Sequence, residues 1–250
     1  MTPVPRLVTA EDAAALADRI ARDLHAFLVE RLASQDEVTL ALTGGGMGIG
    51  CLRALAALPE HTEIDWPRVR LIWGDERWLP LGDPERNETQ AREALLDALP
   101  LLPERVIAMP ASDEGFDLDE AAEELARRIG ELEEIDLVLL GVGPDAHVAS
   151  LFPNHPGLAA KGEAVIAVRN SPKAPPERLS LSLSEINRAE RVWLFVAGAE
   201  KREAFLAAAA DRPAVGERRT PGTPFPAAPA SRVRGRAETV LYADTAASNA

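Results

Sequence analysis

The chain reads as a single α/β domain of Rossmann-like type: an open, mostly parallel sheet with helices on both faces. Three observations predict this. Short runs of branched apolar residues alternate with segments whose apolar residues recur every three to four positions. The clearest runs stop at Gly-containing turns, and no linker or internal repeat interrupts the 250 residues. Such β–α alternation predicts right-handed crossovers and hence a parallel sheet. With 46% hydrophobic residues the chain has enough apolar surface for one large core, so residues 1–250 are read as one domain.

The elements follow in order. Thr9, with Asp12 three residues on, resembles a capping box, and Leu16, Ile20, Leu24, Leu28 and Leu32 repeat every fourth residue. That spacing predicts an amphipathic helix of about 22 residues. Val38-Thr39-Leu40-Ala41-Leu42 is a short strand running into Thr43-Gly44-Gly45-Gly46-Met47-Gly48, after which Leu52, Leu55 and Leu58 mark a helix. A second unit runs from Val69-Arg70-Leu71-Ile72-Trp73 through the turn Gly74-Asp75-Glu76-Arg77 to a helix near 88–99. Val106-Ile107-Ala108-Met109 reads as a further strand, and 119–132 is helical by composition. The apolar run beginning at Ile135 is a buried strand, because it is apolar on both faces. Arg191 to Ala197 is another strand, followed by a helix near 201–210, and Thr239-Val240-Leu241-Tyr242 is the last strand. Arg169 to Arg178 and the Pro-rich run 212–229 are expected to be loops.

Charge and composition exclude several functions. A net charge of −13 argues against nucleic acid or an anionic membrane as partner, since both require a basic footprint. No stretch approaches the roughly 20 apolar residues of a membrane span. Cys51 is the single cysteine, so no internal disulfide is possible, and Met1-Thr2-Pro3-Val4-Pro5-Arg6 lacks the features of a secretion signal. A cytoplasmic protein is the expectation.

The candidate chemistry sits at strand ends. The strand from Ile135 stops at Gly141-Val142-Gly143-Pro144-Asp145-Ala146-His147, where an imidazole can serve as general base and then acid. Asp145 suits orienting that ring or binding a ligand, although Asp after Pro is also ordinary turn chemistry. The Thr43-Gly44-Gly45-Gly46 turn offers unhindered backbone N–H groups before a helix, which favours an anion. It does not match the dinucleotide fingerprint, since no Gly-x-Gly-x-x-Gly fits Gly44 to Gly50, nor the nucleotide P-loop, because Cys51 stands where the lysine would be. Arg77 can recognise a carboxylate or phosphate, or can simply pair with its neighbours Asp75 and Glu76. Lys173 and Arg178 in one loop, and Lys201 after another strand, are further cations that could converge. A serine hydrolase elbow, a reactive thiol and a metal-ligand spacing are missing.

Together these residues resemble the 6-phosphogluconolactonases of the glucosamine-6-phosphate isomerase/6-phosphogluconolactonase superfamily, over nearly the whole chain. The most specific part is Leu140 to Pro153, supported by Trp73-Gly74-Asp75-Glu76-Arg77, by Asn87, and by Ser171 to Leu181. The related deaminases continue their His turn into Phe-Asn-Glu-Pro, whereas this chain continues into Ser150-Leu151-Phe152-Pro153. The resemblance therefore implies hydrolysis of 6-phospho-D-glucono-1,5-lactone in the oxidative pentose phosphate pathway, without metal or organic cofactor. The expected partner is a phosphorylated sugar lactone, met by a monomer or a small homo-oligomer.

On this reading His147 takes a proton from water and returns it to the ring oxygen, with the oxyanion met by backbone N–H groups of Gly44–Gly46. Arg77, Arg178 and Lys201 are candidates for the phosphate. Asp75 and Asp145 are left to bind sugar hydroxyls or orient His147, and Thr43 is a further substrate-binding candidate. Two alternatives stand beside it: a sugar-phosphate isomerase or deaminase, and a non-catalytic sugar-phosphate sensor, for whose DNA-binding segment one acidic domain leaves no room. Two places depart from the family pattern. Gly46-Met47-Gly48 stands where the family has Ser-Thr-Pro, so two hydroxyl donors are missing, and Ala146 replaces a glycine, so φ there is expected to be negative or the turn adjusted.

Overall fold

The computed structural model describes residues 5–160, 162–209 and 228–248. Its first half contains β1 (Arg6–Ala10), α1 (Ala13–Leu32), β2 (Val38–Leu42), α2 (Gly45–Ala57), β3 (Val69–Trp73), β4 (Asp75–Arg77), α3 (Asn87–Ala94) and α4 (Leu118–Gly130). Its second half contains β5 (Leu137–Gly141), β6 (Val165–Val168), β7 (Arg178–Leu181), α5 (Leu183–Ile186), β8 (Arg191–Val196), α6 (Arg202–Ala209), β9 (Glu238–Asp244) and α7 (Thr245–Ser248).

Six strands form one parallel sheet in the order β1-β9-β8-β5-β2-β3. From β2 the chain steps outward to β3, then returns to β5 on the other side of β2 and continues to β8. The order of strands thus reverses between β2 and β5, and a ligand crevice is expected beyond the carboxyl ends of these two strands. Steps in opposite directions along a parallel sheet, each right-handed, put α1 and α2 on one face and α4 and α6 on the other.

The core explains why these segments adopt these elements. Every residue of β2 is buried, as are Leu137 to Leu140 of β5, which fits strands covered on both faces. In α1 the fourfold repeat Leu16, Ile20, Leu24, Leu28 and Leu32 is the buried stripe. Each such leucine or isoleucine contributes roughly 1.5–3 kcal/mol through burial. Helix α4 is started by a full capping box, Asp117 and Glu120 exchanging side-chain and backbone hydrogen bonds.

The structure corrects several expectations. Asp12 itself caps α1, its carboxylate accepting from the Ala15 N–H, while Thr9 lies in β1. β1 was not anticipated: it is a short edge strand with only Val8 buried, so its sequence shows no apolar run. The segment Val106 to Met109 is not a strand. It makes a single bridge to Leu71, with Ile107 N–H donating to the Leu71 carbonyl at 2.8 Å, and Pro103 and Pro110 flank it so that the ladder does not extend.

The turn expected at Gly74–Arg77 is instead, from Asp75 on, the strand β4. It pairs antiparallel with β7, which pairs with β6, giving a separate three-stranded sheet. β7 begins at Arg178, so the loop expected over Arg169–Arg178 stops one residue short. β4 reads as polar because its acids face hydrogen-bond donors inside the protein rather than water. Glu76, 1% exposed, accepts from the N–H groups of Arg77, Asn87 and Glu88, and so caps α3, whose own N-cap residue offers no side-chain bond. Of the expected Pro-rich loop, residues 212–227 lie outside the described residues.

Candidate active site

The turn after β5 is built around the imidazole. Gly143 N–H donates to the His147 carbonyl at 3.0 Å and Ala146 N–H to the Gly143 carbonyl at 2.9 Å, which folds the ring back over Gly143. A Cβ on Gly143 would fall 2.0 Å from His147 Cε1, so only glycine permits this approach. Ala146 has φ +62°, where a negative φ or an adjusted turn was the expectation. Its left-handed backbone costs roughly 1–2 kcal/mol in a residue with a Cβ. The tertiary structure holds it there: its methyl is buried, and its carbonyl accepts from Ala230 N–H at 3.0 Å.

His147 Nδ1 is hydrogen-bonded to Asp145 Oδ1, which assigns the ring proton to Nδ1 and leaves Nε2 unprotonated, as an acceptor. The ring lies against Phe152, centroids 4.8 Å apart, and Nε2 faces the ammonium of Lys173 at 3.5 Å. Burial pushes the imidazole below its ordinary pKa, with Asp145 opposing and Lys173 adding to the shift. Burial also works against the Asp145 charge, yet the hydrogen bond to His147 holds that carboxyl below the usual carboxylate range.

His147 opens onto a cleft of about 350 Å³ at the point where the strand order reverses. Across it stands the Gly turn after β2. Thr43 Oγ1 accepts from Gly141 N–H at 3.2 Å, tying the ends of β2 and β5 together. Gly45 has φ +75°, a conformation that glycine supplies without strain. Gly44 is an N-cap without a side-chain bond, so the first N–H groups of α2 are available to an anion. Gly48, one of the departures from the family pattern, has a packing reason: a Cβ there would lie 2.3 Å from the Thr43 carbonyl.

The remaining wall comes from β4, β7 and the loop before β7. Asp75 Oδ2 accepts from Ser150 Oγ at 2.7 Å and Oδ1 from Asn87 Nδ2 at 3.3 Å. Arg178, 5% exposed, donates to the carbonyls of Lys173, Ala174 and Pro175 and stands 3.9 Å from Asp75. Burial lowers its pKa, with Asp75 opposing. Arg77 donates to the Glu85 carbonyl, and Lys201 lies just before α6. Burial also lowers the Lys201 ammonium, and the neighbouring charge of Lys173 adds to that.

Thr43, Gly44, Gly45, Gly46, Asp75, Arg77, His147, Arg178 and Lys201, all anticipated from the sequence, therefore line one cleft, while Asp145 reaches it only through His147. Lys173 lines it as well. Ser150 and Asn87 are legible in the sequence as parts of the family resemblance, but not as supports of Asp75. Among the described residues, no group of three or more His, Cys, Asp or Glu side chains is placed to hold a metal ion.

A larger cleft, about 780 Å³, opens beside the amino ends of β2 and β5 and is lined by Asp36, Glu37, Glu131, Glu133, Glu134 and Asp136 among others. Its acids would repel an anionic ligand. The smaller cleft collects four cations in a protein of net charge −13 and is the one suited to a phosphorylated compound.

Residues 11–242 match the family model described as glucosamine-6-phosphate isomerases/6-phosphogluconolactonase. The chain is 44% identical over 260 residues to the 6-phosphogluconolactonase of Streptomyces coelicolor, covering 100% of this chain and 95% of that protein. Among solved structures, the 6-phosphogluconolactonase of Thermotoga maritima superposes with TM-score 0.80 at 24% identity, over 96% of this chain and 99% of that one. A monomeric glucosamine-6-phosphate deaminase superposes nearly as well, with TM-score 0.78 at 18% identity, over 98% and 99%. These structural likenesses show a shared fold, and that fold serves both names.

Proposed function

Because the chain belongs to the glucosamine-6-phosphate isomerase/6-phosphogluconolactonase family, we propose that it hydrolyses 6-phospho-D-glucono-1,5-lactone to 6-phospho-D-gluconate, in the oxidative pentose phosphate pathway of the cytoplasm. One observation carries the mechanism: His147 has Nδ1 committed to Asp145 and Nε2 turned to a cleft rich in cations. Nε2 takes a proton as a water oxygen bonds to the lactone carbonyl carbon, and the carbonyl π pair moves onto its oxygen. When that pair re-forms the carbonyl, the bond to the ring oxygen breaks and the ring oxygen takes the proton back from Nε2. The acid so formed ionises. Asp145 orients the imidazole and stabilises its transient charge.

The N–H groups at the start of α2, Gly44–Gly46, can donate to the growing oxyanion. Arg77 and Lys201 bind the phosphate, with Arg178 completing that side, and Asp75 and Thr43 meet sugar hydroxyls. A deaminase or isomerase would need a carboxylate free to move a carbon-bound proton. Among the described residues the carboxylate lining the cleft is Asp75, and the relative 44% identical over the whole chain carries the lactonase name, which favours the lactonase reading.

The test is acid release from freshly generated 6-phosphogluconolactone, measured above spontaneous hydrolysis. His147→Ala should lower turnover by about 10²–10⁴-fold, the usual share of general acid–base catalysis, while the protein stays folded. Near-normal turnover in that variant would sink the assignment. Ammonia release from glucosamine 6-phosphate would instead establish the deaminase.

A further inference from the structure

We propose that Lys173 is a catalytic residue of this site, its ammonium stabilising the oxyanion that forms on the lactone carbonyl. The inference rests on the lactonase reading and adds a charged donor to the backbone N–H groups of Gly44–Gly46. Its basis is the 3.5 Å between Lys173 Nζ and His147 Nε2. The attacking water must lie within about 2.6–3.2 Å of Nε2 to surrender its proton. The carbonyl it attacks lies directly beyond, so an ammonium that close to Nε2 is within reach of the carbonyl oxygen.

A cation there suits the carbonyl better than the phosphate. In the substrate the phosphate is separated from the carbonyl carbon by the ring oxygen, C5, C6 and the ester oxygen. If Lys173 held the phosphate, that dianion would occupy the space beside Nε2 that the water needs. Lys201, Arg77 and Arg178 line the same cleft and are free of this conflict.

The backbone of Lys173 is held in place, and its exposed side chain reaches from there to Nε2. Its N–H donates to Ser171 Oγ at 3.2 Å, and its carbonyl accepts from Ser171 Oγ at 2.9 Å and from Arg178 Nη2 at 3.3 Å. The loop closes on itself through Ser171 N–H and the Pro176 carbonyl, 2.9 Å apart. Arg178 is thereby a positioning residue for the loop that carries the ammonium. As water attacks, the carbonyl π pair becomes negative charge on oxygen beside Lys173. The charge returns to the carbon–oxygen double bond when the ring oxygen leaves, and the lysine keeps all its protons throughout.

Removing one oxyanion donor typically costs about 10²–10³-fold in turnover. Lys173→Met should show that loss in kcat with KM within about threefold, and by the same factor on unphosphorylated glucono-1,5-lactone. Lys173→Arg should recover part of it. Lys201→Ala should differ, raising KM and only for the phosphorylated lactone. A Lys173→Met loss confined to KM, or to the phosphorylated substrate, would make Lys173 a phosphate ligand and overturn the proposal, as would unchanged turnover. If that variant does not fold, Lys173→Cys measured before and after aminoethylation reads the same point, because Cys51 is buried and shielded from the reagent. A wild-type protein with no lactonase activity would refute the lactonase reading itself, whereas an active wild type matched by Lys173→Met would refute only this inference.

Discussion

His147 needs an unprotonated Nε2 to act as a base, and its surroundings favour the unprotonated ring. Burial lowers the imidazole below its ordinary value of 6.5, and the Lys173 charge works in the same direction. A base with a depressed pKa stays competent until the pH falls through that lowered value. The acid limb of kcat/KM is therefore expected to have its midpoint below 6.5. A pH–rate profile corrected for spontaneous hydrolysis checks this, and a midpoint above 6.5 would contradict it. At this scale the sequence was informative where chemistry sits at strand ends, since topology brings strand ends together. It gave no pairings where packing joins distant residues: Lys173 is legible as a converging cation but not as the partner of His147, 26 positions away, and Ser150 is not legible as the support of Asp75, 75 positions away. The φ of +62° at Ala146 is not legible from local sterics, which oppose it, because the surrounding contacts impose it.

Elements with a strong period were legible. The buried stripe of α1 and the apolar runs of β2, β5 and β8 can be read from spacing alone, because burial is what their residue types are selected by. β4 was not, since Asp75-Glu76-Arg77 looks like a solvated turn until its partners are seen. Those partners make β4 the clamp between the two sheets and α3. Burial raises the pKa of Glu76, with the buried Arg86, 3.9 Å away, opposing. Glu76→Gln replaces an acceptor with an amide NH₂ that faces an N–H of α3. It should destabilise the protein by about 1–3 kcal/mol, the cost of an unmet buried donor. Urea unfolding measures this. A midpoint unchanged from wild type would show that α3 does not depend on the clamp.

For the molecule as a whole, β–α alternation correctly implied the parallel sheet, but it gave no hint of the small antiparallel sheet β4-β7-β6. Overall shape also stops short of activity, because a 6-phosphogluconolactonase and a glucosamine-6-phosphate deaminase superpose on this chain almost equally. The distinction lies in a few side chains around one cleft. The strand order has a further outcome for how the protein is made. β1 has one strand neighbour in the sheet, β9, from which most of the chain separates it. Synthesis runs from the amino end, so β2, β3 and β5 can join before β9 exists, and β1 must wait. A ribosome-tethered chain ending before residue 238 should protect β2 and β5 from protease while leaving residues 6–10 open to cleavage. Protection of residues 6–10 in that chain would mean that α1 alone anchors them. On this account the strand of this sheet that is made first is among the last to find its place.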